Sequence, residues 1–421
     1  MWEPACYSSG MGKRIGLLLC AAAFASAELL TPVWVEVGEH GQAFARVVVN
    51  APEECPSIRL DRTGRKMELR QPVPEGFRPA CEFAIPPGTS TARVNGQRLN
   101  LPRPNPSRII AFGDTGCRIK IPVVQNCNDP AQWPFERVAR AAAAAHPKLV
   151  LHVGDYLYRE DACPAGKESF CGGTPHGDNW DTWNADFFQP GAALLAEAPW
   201  VFARGNHEIC TRAWRGWFYY LDLHPWTGAC QIAPPPLLVE LGTFKVVLFD
   251  SSATSDAEMS AALISNYAAQ LASIKVDHAW LLDHHPFWAL KGSPNNQPPV
   301  PENAGLEEAW DKALPKGIDM VFSGHTHVFE LLSFSGKRPV QLVAGNGGTN
   351  LDERIPRQVK GIPIQGFMIA EGETEGVFGY TLLQKSSTGW KLALREPTGK
   401  SLVKCSLAGN DVSCKMHSPV P

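Results

Sequence analysis

Five places in the sequence combine residue types that can bind metal ions, and each follows a short apolar run. In chain order they are Gly113-Asp114-Thr115-Gly116, Gly154-Asp155-Tyr156-Leu157-Tyr158, Gly205-Asn206-His207-Glu208, Asp283-His284-His285-Pro286 and Gly324-His325-Thr326-His327. One such block is usually a turn or a packed histidine, but five in the same local frame are hard to obtain by chance. Carboxylate oxygens, an amide oxygen and imidazole nitrogens suit hard to borderline divalent or trivalent ions. The blocks therefore predict one shared metal site.

The apolar runs read as strands, and they alternate with helical stretches. The predicted strands are Ile109–Phe112, Leu149–Val153, Trp200–Ala203, Phe244–Phe249, His278–Leu282, Met320–Phe322 and Val340–Ala344, and the predicted helices are Phe135–Ala145, Met259–Lys275 and Leu306–Leu314. Strands that alternate with helices predict an α/β core. Since ligands gather at the carboxyl ends of strands in such sheets, we expect the five blocks to meet there.

Both flanks of this core read as β structure. The N-terminal flank alternates over Val33–Val37 and continues over Ala43–Val49, and Arg59–Leu69 has a hairpin-like centre at residues 62–65. The stretch 101–107 is rich in proline and therefore stiff and extended. We place a domain boundary there. It separates a small all-β domain with its linker (28–106) from a catalytic domain (107–421) that ends in an antiparallel edge of strands.

The first 27 residues are typical of an export signal. Lys13 and Arg14 form a short basic region, residues 15–24 are almost wholly apolar, and Ala25-Ser26-Ala27 is a small-residue cleavage signal. The apolar run is too short to span a bilayer, and no later stretch reads as transmembrane. We expect residues 1–27 to be removed as a signal peptide and the protein to be secreted or periplasmic.

Ten of the twelve cysteines follow this segment and form couples that are close in sequence. The couples are Cys55/Cys81, Cys117/Cys127, Cys163/Cys171, Cys210/Cys230 and Cys405/Cys414. An even number behind an export signal favours disulfides, and the sequence has no C-x-x-C pair of the kind that zinc sites use. Sequence alone does not determine connectivity, but the short spans lead us to predict pairing between neighbours.

The order and spacing of the five blocks resemble those of calcineurin-like metallophosphoesterases. The matching patterns are Gly-Asp-x-Gly, Gly-Asp-x-x-Tyr, Gly-Asn-His-Glu, x-x-x-His and Gly-His-x-His, over roughly residues 108 to 330. Tyr158 in the second block resembles the purple acid phosphatases specifically, whereas Leu281 stands where the fourth block of that branch usually carries Val. The resemblance implies a four-layer αββα sandwich that holds a dinuclear metal centre.

Ligand roles carry over from this resemblance position by position. The first metal would be held by Asp114, Asp155, Tyr158 and His327, and the second by Asn206, His284, His325 and the bridging Asp155. A bridging carboxylate suits two cations about 3.5–4 Å apart, the separation in two-metal hydrolases. A phenolate from Tyr158 would favour Fe(III) in the first site, with Fe(II), zinc or manganese in the second. The alternative for Tyr158 is an aromatic ring that packs beside the site.

Four further residues of the blocks receive supporting roles. The family pattern His-x-Pro selects His284 over His285 as the ligand, so His285 either lines the substrate mouth or is structural. His207 would bind the phosphate or protonate the leaving group as the catalytic acid. Glu208 and Asp283 would orient imidazole rings from outside the ligand set.

The implied reaction is the hydrolysis of a small phosphate monoester by a metal-bound hydroxide. A phosphodiesterase or nucleotide hydrolase could use the same site, because tryptophans in the loops 159–198 and 211–236 would either stack a base or pack those loops. A non-catalytic secreted binding protein is disfavoured, since all seven candidate ligands are present. The formal net charge of −3 gives no basic surplus, so nucleic acid is not expected as a standing partner.

Overall fold

The computed structural model describes residues 28–255, 258–292, 300–301, 303–352, 359–364 and 366–416. The predicted signal segment 1–27 lies outside this part of the chain. The described strands, in chain order, are β1 (Trp34–Val37), β2 (Ala43–Val48), β3 (Ser57–Leu60), β4 (Thr63–Lys66), β5 (Glu68–Leu69), β6 (Ala80–Ile85), β7 (Ala92–Val94), β8 (Gln97–Arg98), β9 (Arg108–Phe112), β10 (Ile119–Lys120), β11 (Val123–Val124), β12 (Leu149–His152), β13 (Pro199–Phe202), β14 (Leu237–Leu241), β15 (Phe244–Leu248), β16 (Ala279–Leu282), β17 (Leu290–Lys291), β18 (Val300–Pro301), β19 (Ile318–Ser323), β20 (Phe329–Phe334), β21 (Val340–Ala344), β22 (Pro363–Ile364), β23 (Phe367–Glu375), β24 (Tyr380–Ser386), β25 (Gly389–Arg395), β26 (Ser401–Ala408) and β27 (Asp411–Met416).

Helices occupy the connections between these strands. They are α1 (Phe135–Ala144), α2 (Glu168–Cys171), α3 (Trp180–Trp183), α4 (Gln189–Glu197), α5 (Trp214–Gly216), α6 (Ala261–Ser273) and α7 (Ala304–Ala313), with π-helical turns at Asn184–Phe188 and Trp217–Leu221 that continue α3 and α5. Among the residues described, none of these helices combines the length and the apolar character that a bilayer span requires.

Two large sheets contain the strands that the apolar runs predict. The first has the order β27-β26-β25-β24-β9-β12-β13-β1-β2-β6-β5, and the second has the order β14-β15-β16-β19-β21-β20-β23-β22. β9, β12 and β13 run parallel to one another, as do β15, β16, β19 and β21. Each predicted core strand agrees with an observed one to within two residues at either end.

Apolar side chains from both sheets fill the space between them. Leu151 on β12 and Phe322 on β19 belong to one fully buried cluster that joins the two sheets. α1 and α4 cover the outer face of the first sheet, and α6 and α7 cover that of the second. α1 packs this way because its buried residues recur at helical spacing, at Phe135, Val138, Ala139 and Ala142. The predicted αββα sandwich is confirmed.

The N-terminal β region shares a sheet with the core strands. β1 pairs in parallel with β13, and β2, β6 and β5 extend the sheet from there. A four-stranded sheet, β4-β3-β7-β8, has its own apolar cluster with this extension. Backbone hydrogen bonding therefore continues across the predicted boundary at residue 106, and the division into two domains stays a prediction.

The two flanks differ from the sequence prediction in detail. The hairpin predicted within Arg59–Leu69 is formed by β3 and β4. It turns at Asp61 and Arg62 rather than around residues 62–65, because Leu60 pairs with Thr63. Asp61 adopts a left-handed conformation with φ 47°, which Asp tolerates better than most residues. At the C-terminus the antiparallel edge is present, with β24 paired to β9, and β27 adds a strand that was not predicted.

Five disulfides join the ten described cysteines. They are Cys55–Cys81, Cys117–Cys127, Cys163–Cys171, Cys210–Cys230 and Cys405–Cys414. Each links neighbours in sequence, so the predicted pairing is confirmed.

Candidate metal centre

Five neighbouring strand ends deliver the predicted ligands to one edge of the sandwich. Asp114, Asp155 and Asn206 follow β9, β12 and β13 of the first sheet, while His284 and His325 follow β16 and β19 of the second. Three of these residues leave their strands with a left-handed backbone, with φ 56° at Asp114, 60° at Asp155 and 69° at His325. Such conformations are costly outside glycine and concentrate at functional sites, so the ligand positions themselves are held under constraint.

A close approach of two loops explains one of the glycines. A Cβ on Gly205 would lie 2.0 Å from Asp155 Oδ1, a distance that real side chains do not reach. Only glycine at this position lets the Asn206 loop pass against Asp155.

The other three predicted ligands of the first metal surround the phenol oxygen of Tyr158. This oxygen lies 3.1 Å from Asp114 Oδ1, 2.8 Å from Asp155 Oδ2 and 3.0 Å from His327 Nε2. Tyr158 is fully buried, as is Asp114. The phenol therefore points its oxygen into the cluster and does not merely pack its ring beside it.

The predicted ligands of the second metal converge on the amide of Asn206. Its Oδ1 lies 2.9 Å from His284 Nε2 and 3.2 Å from His325 Nδ1. His284 Nε2 is also 3.4 Å from Asp155 Oδ2, the same carboxylate oxygen that contacts Tyr158. Asp155 Oδ2 thus belongs to both clusters, which is the position that a bridging carboxylate must occupy.

The donor set fits cations. The Asn206 amide faces the imidazole nitrogens, and in its two orientations either the oxygen faces them or the nitrogen donates to His284, His325 and Asp155. A bound cation would select the orientation with the oxygen inward, because the oxygen is the ligand atom. The charges agree, because Asp155 and Asp114 outweigh the effect of burial and raise the pKa of His284 to about 9, so the site attracts positive charge. Burial itself raises the pKa of Asp114 well above its usual value.

Comparison with known proteins places this arrangement in a family. The sequence profile of calcineurin-like phosphoesterases matches residues 107–329, more than half of the chain. The chain belongs to the calcineurin-like phosphoesterase family. It is therefore a metal-dependent phosphoesterase, as predicted, and the cluster of Asp114, Asp155 and His284 marks its metal centre.

Two solved structures share the fold of this phosphoesterase at low sequence identity. A purple acid phosphatase from yellow lupin (Lupinus luteus) seeds aligns with a TM-score of 0.56 and 13% identity, over 89% of this chain and 73% of the lupin chain. PhoD aligns with a TM-score of 0.57 and 10% identity, over 95% and 94% of the two chains. A search of curated proteins found no match.

Backbone carbonyls orient two of the imidazoles in the phosphoesterase site. His327 Nδ1 lies 2.7 Å from the Asn350 carbonyl, and His284 Nδ1 lies 2.8 Å from the Val153 carbonyl. A carbonyl can only accept, so each Nδ1 donates to it, which leaves each Nε2 facing the cluster as the atom that would bind a metal ion. Nothing in the local sequence signals these contacts, because they join segments that are distant along the chain.

Glu208 and Asp283 contact groups other than the imidazoles that the sequence prediction gave them. The Glu208 carboxylate accepts backbone N–H bonds from Gly205, Asp155, Tyr156 and Leu157 at 2.8–3.2 Å. It therefore fixes the two ligand loops through their backbones. Asp283 accepts a bond from Ser323 Oγ. These contacts hold backbone and hydroxyl groups, and the orientation of imidazoles by Glu208 and Asp283 stays a prediction.

Ser251, three residues after β15, is a residue of the site that sequence reasoning missed. Its Oγ accepts the backbone N–H groups of both His284, at 3.0 Å, and His285, at 2.8 Å. The signal that could have found it is its position, since it follows a sixth strand end on the same edge of the sandwich. Ser251 holds the backbone from which the His284 ring reaches the second cluster.

His285 lies inside the protein next to the second cluster. It is 1% exposed, and its ring centroid is 4.1 Å from that of His325. Of the two alternatives given by the sequence, this burial favours the structural one over an open position in the substrate mouth. Substrate binding by His285 stays a prediction.

His207 sits against the first cluster with one ring nitrogen anchored. Its Nδ1 lies 2.9 Å from Glu160 Oε1 and 3.0 Å from the Leu157 carbonyl, while Nε2 lies 3.7 Å from Asp155 Oδ2. Burial lowers the pKa of His207 to about 4. Arg212 pairs with Glu160 from the other side and also donates to the Asn206 carbonyl at 3.0 Å. Glu160 and Arg212 are therefore further residues of the site that no motif pointed to.

Proposed function

We propose that this phosphoesterase hydrolyses small phosphate monoesters, with Fe(III) in the first site and a divalent iron, zinc or manganese ion in the second. The observation that carries the proposal is the phenol oxygen of Tyr158, within 3.1 Å of Asp114, Asp155 and His327. Burial and the charges of Asp155 and Asp114 raise the pKa of Tyr158 well above its ordinary value, so a phenolate here requires a strongly charged cation. Phenolate with carboxylate and imidazole suits a hard trivalent ion.

The side chains that contact Tyr158 and those that contact Asn206 form two groups, and each group would bind one of the two ions. Asp114, Tyr158 and His327 would hold the first ion, Asn206, His284 and His325 the second, and Asp155 would bridge them. When bound, the two ions would neutralise phosphate oxygens and acidify the water that attacks phosphorus. A phosphorylated side chain is not needed as an intermediate.

His207 is the proposed acid for the leaving group. Glu160 and the Leu157 carbonyl fix its Nδ1, so Nε2 is the atom that would pass a proton to the departing oxygen, and the pKa of about 4 makes this acid form one of acidic pH. The backbone N–H of His207 also donates to Asp155 Oδ1 at 2.8 Å, so the acid and the bridging carboxylate keep a fixed spacing.

Hydrolysis of diesters or nucleotides on the same site is the alternative function. Tryptophans in the flanking loops would have to stack a base, but Trp180, Trp183 and Trp217 are only 7%, 0% and 3% exposed. They pack with Phe187 and Tyr220 in the cluster under α1 and α4. Trp214 and Trp226 of the same loops are half-buried and pack against this cluster. The burial supports the packing role for the rings and, with it, the simpler monoester substrate.

The test compares p-nitrophenyl phosphate with bis(p-nitrophenyl) phosphate as substrates of the metal-loaded protein. We expect a higher kcat/KM for the monoester, and a loss of kcat of about 100-fold in His207→Ala at full metal content. A preference for the diester would overturn the monoester proposal. Full metal occupancy without turnover of either substrate would instead indicate a binding protein with a vestigial site.

We also propose that the protein works outside the cytosol. Five disulfides support an oxidising compartment, since such bonds are rare in reducing ones. Sequencing the N-terminus of the mature protein tests this, and we expect it to begin at residue 28. A mature protein that retains residues 1–27 in the cytosolic fraction would contradict the proposal.

A further inference from the structure

Two buried carboxylates accept the backbone N–H groups of residues 155–159, here called the Tyr158 loop. Glu208 accepts the first three of these groups. Asp186 Oδ2 accepts the other two, from Tyr158 at 2.9 Å and from Arg159 at 3.1 Å. Both carboxylates are 0% exposed, so water does not compete for these bonds. Every N–H group of the Tyr158 loop is therefore held from within the protein.

The second oxygen of Asp186 reaches residues 114–118, here called the Asp114 loop. This Oδ1 accepts the backbone N–H of Cys117 at 3.0 Å and the Nε–H of Arg159 at 2.6 Å. Cys117 comes three residues after Asp114 in the sequence. One carboxylate group therefore joins the two loops that supply proposed ligands to the first ion.

Gly116 shows how closely the two loops and this carboxylate meet. A Cβ on Gly116 would lie 2.9 Å from Asp186 Oδ2. It would also lie 2.6 Å from the Tyr156 carbonyl oxygen and 2.8 Å from the Tyr158 nitrogen. Only glycine lets the loops meet at these distances. The junction is therefore closely packed as well as hydrogen-bonded.

The core of the protein fixes Asp186 from the other side. The residue lies in the π-helical turn Asn184–Phe188, and the next two residues, Phe187 and Phe188, are buried in the cluster under α1 and α4. The Phe187 ring also packs edge-on against Tyr156, with 5.0 Å between the ring centroids. π-Helical turns of this kind are frequent at functional sites. A well-packed segment thus presents the carboxylate to the two loops.

The contacts of Glu208 and Asp186 lead to different metal sites. Glu208 joins the Tyr158 loop to Gly205, the residue before Asn206, which is a proposed ligand of the second ion. Asp186 joins the same loop to the Asp114 loop, on the side of the first ion. The two carboxylates therefore divide the support of the metal centre between them.

We propose that Asp186 is a positioning residue of the first metal site, which holds Asp114 and Tyr158 at the spacing at which one ion can bind both. The inference rests on the proposed function and deepens it. The four hydrogen bonds of Asp186 go to the Asp114 loop and the Tyr158 loop. Their loss should loosen the first site and spare Asn206 and His284 of the second.

Asp186→Asn changes these hydrogen bonds at nearly constant volume. Each Asp186 oxygen accepts two N–H groups, so the nitrogen of the new amide must face two donors whichever way the amide turns. Two buried N–H groups then lack an acceptor, which costs free energy. In either orientation, the direct backbone bond to one of the two loops is lost.

Asp178→Asn is the matched control for a general loss of stability. It makes the same substitution in the same connection between β12 and β13, at a half-buried carboxylate. Asp178 accepts Trp183 Nε1 at 3.0 Å and the N–H groups of Arg215 and Gly216 at 2.9 and 3.2 Å. None of these three donors belongs to the Asp114 loop or the Tyr158 loop.

The double variant Asp186→Asn/Arg159→Met is the control for charge. Arg159 Nε lies 2.6 Å from Asp186 Oδ1, so loss of the carboxylate charge leaves a buried positive charge near the first site. The double variant removes both charges and has the net charge of wild type. A repulsive effect of Arg159 on the metal ion would disappear in it, whereas a loss of positioning would remain.

We expect Asp186→Asn to bind the first ion about 10- to 100-fold more weakly and to keep the second ion. Metal titration and the visible band of the phenolate measure this. In the metal-free protein, mass spectrometry should show hydrogen exchange about 10- to 100-fold faster in the Asp114 and Tyr158 loops. Asp178→Asn should lose stability but keep the first ion, and the double variant should bind metal as Asp186→Asn does.

Three outcomes with the variants would overturn the inference. They are normal affinity for the first ion in folded Asp186→Asn, an equal loss in Asp178→Asn, and recovery of the first ion in the double variant. Metal-free wild type gives a test that needs no variant to fold. Its Cys117 and Tyr158 N–H groups should be protected from exchange before metal is added, and rapid exchange at both would contradict the role of Asp186.

The inference and the proposed function fail separately. If wild type is colourless and binds zinc or manganese in the first site, the ferric proposal is wrong, but selective loss of that ion in Asp186→Asn still decides the role of Asp186. If wild type binds iron and prefers the monoester while Asp186→Asn keeps both ions at normal affinity, only the role of Asp186 is wrong.

Discussion

Two buried clusters of charged side chains in this protein balance their charges in opposite ways. In the N-terminal β region, Arg46 lies 2.5 Å from both Glu36 and Glu82, and Arg70 lies 2.6 Å from Glu82. The remaining N–H groups of the two arginines donate to the carbonyls of Phe218, Tyr219, Tyr220 and Asp222. Each positive group there meets a negative or carbonyl acceptor from the protein itself.

The metal centre gathers acceptor atoms around one space, here called the acceptor cluster. The oxygens of Asp114, Asp155 and Asn206 and the Nε2 atoms of His284 and His327 lie around it, and the Tyr158 phenol donates to both carboxylates. The difference teaches how to separate structural from functional charge in a buried site. A cluster whose charges pair within the protein loses stability when one partner is removed, whereas the acceptor cluster offers ligand atoms to an external cation.

Removal of the bridging carboxylate should produce the largest effect on the functional cluster. Asp155→Asn replaces a charged oxygen that faces both proposed ion positions, so we expect metal content and activity to fall together, activity by about 1,000-fold or more. Metal analysis beside steady-state kinetics measures both. Full metal occupancy with normal turnover in Asp155→Asn would show that the acceptor cluster does not require cations.

Substitutions in the structural cluster, which is the group of Glu36, Arg46, Arg70 and Glu82, should lower the stability of the fold and leave metal binding unchanged. Arg46→Met leaves Glu36 buried without its partner, so above about pH 8, where Glu36 ionises, we expect a loss of about 3–5 kcal/mol in the free energy of unfolding, measured by urea denaturation. The matched control is Arg59→Met on the exposed side of β3, which should change stability by less than about 0.5 kcal/mol. Loss of metal from folded Arg46→Met would show that the structural cluster also supports metal binding, which contradicts the separation of the two clusters.

The part of the site that sequence predicts is the part that each strand carries locally. Asp114 and Asp155 could be assigned because an apolar run, a glycine and a carboxylate lie within a few residues. Glu160 and the Asn350 carbonyl could not, since they contact His207 and His327 across the fold. The prediction also placed the N-terminal strands in a separate domain, although β1 pairs with β13 in one sheet. This pairing joins distant segments, so no local sequence pattern indicates it.

The adjacent residues His284 and His285 differ in whether they reach the metal centre. Only His284 presents Nε2 to Asn206 and Asp155. We therefore expect His284→Ala to lose the second ion, with a fall in activity of about 100-fold or more, and His285→Ala to retain both ions. Metal-to-protein ratios decide between them, and the reverse pattern of metal loss would move the ligand assignment to His285.

The smallest expected effect is the pH dependence of stability that comes from the titration of Glu36 in the structural cluster. Burial raises the pKa of Glu36 to about 8 even though Arg46 lies beside it. The folded state then binds this proton more tightly than the unfolded state, so this contribution to stability is lost as pH rises from 4.5 to about 8. Glu36→Gln should flatten the fall in stability over that range, whereas Glu53→Gln at an exposed position should not. An unchanged slope in Glu36→Gln would show that Arg46 keeps Glu36 ionised.

The central claim is that the acceptor cluster binds a ferric ion through Tyr158. The most direct measurement is the visible spectrum, with metal analysis, of wild type and Tyr158→Phe purified under air from iron-containing medium. We predict a pink to violet wild type with a charge-transfer band from the phenolate to the metal, and a bleached, folded Tyr158→Phe with less iron in the first site. Colourless wild-type protein that is fully active with zinc or manganese alone would contradict the account.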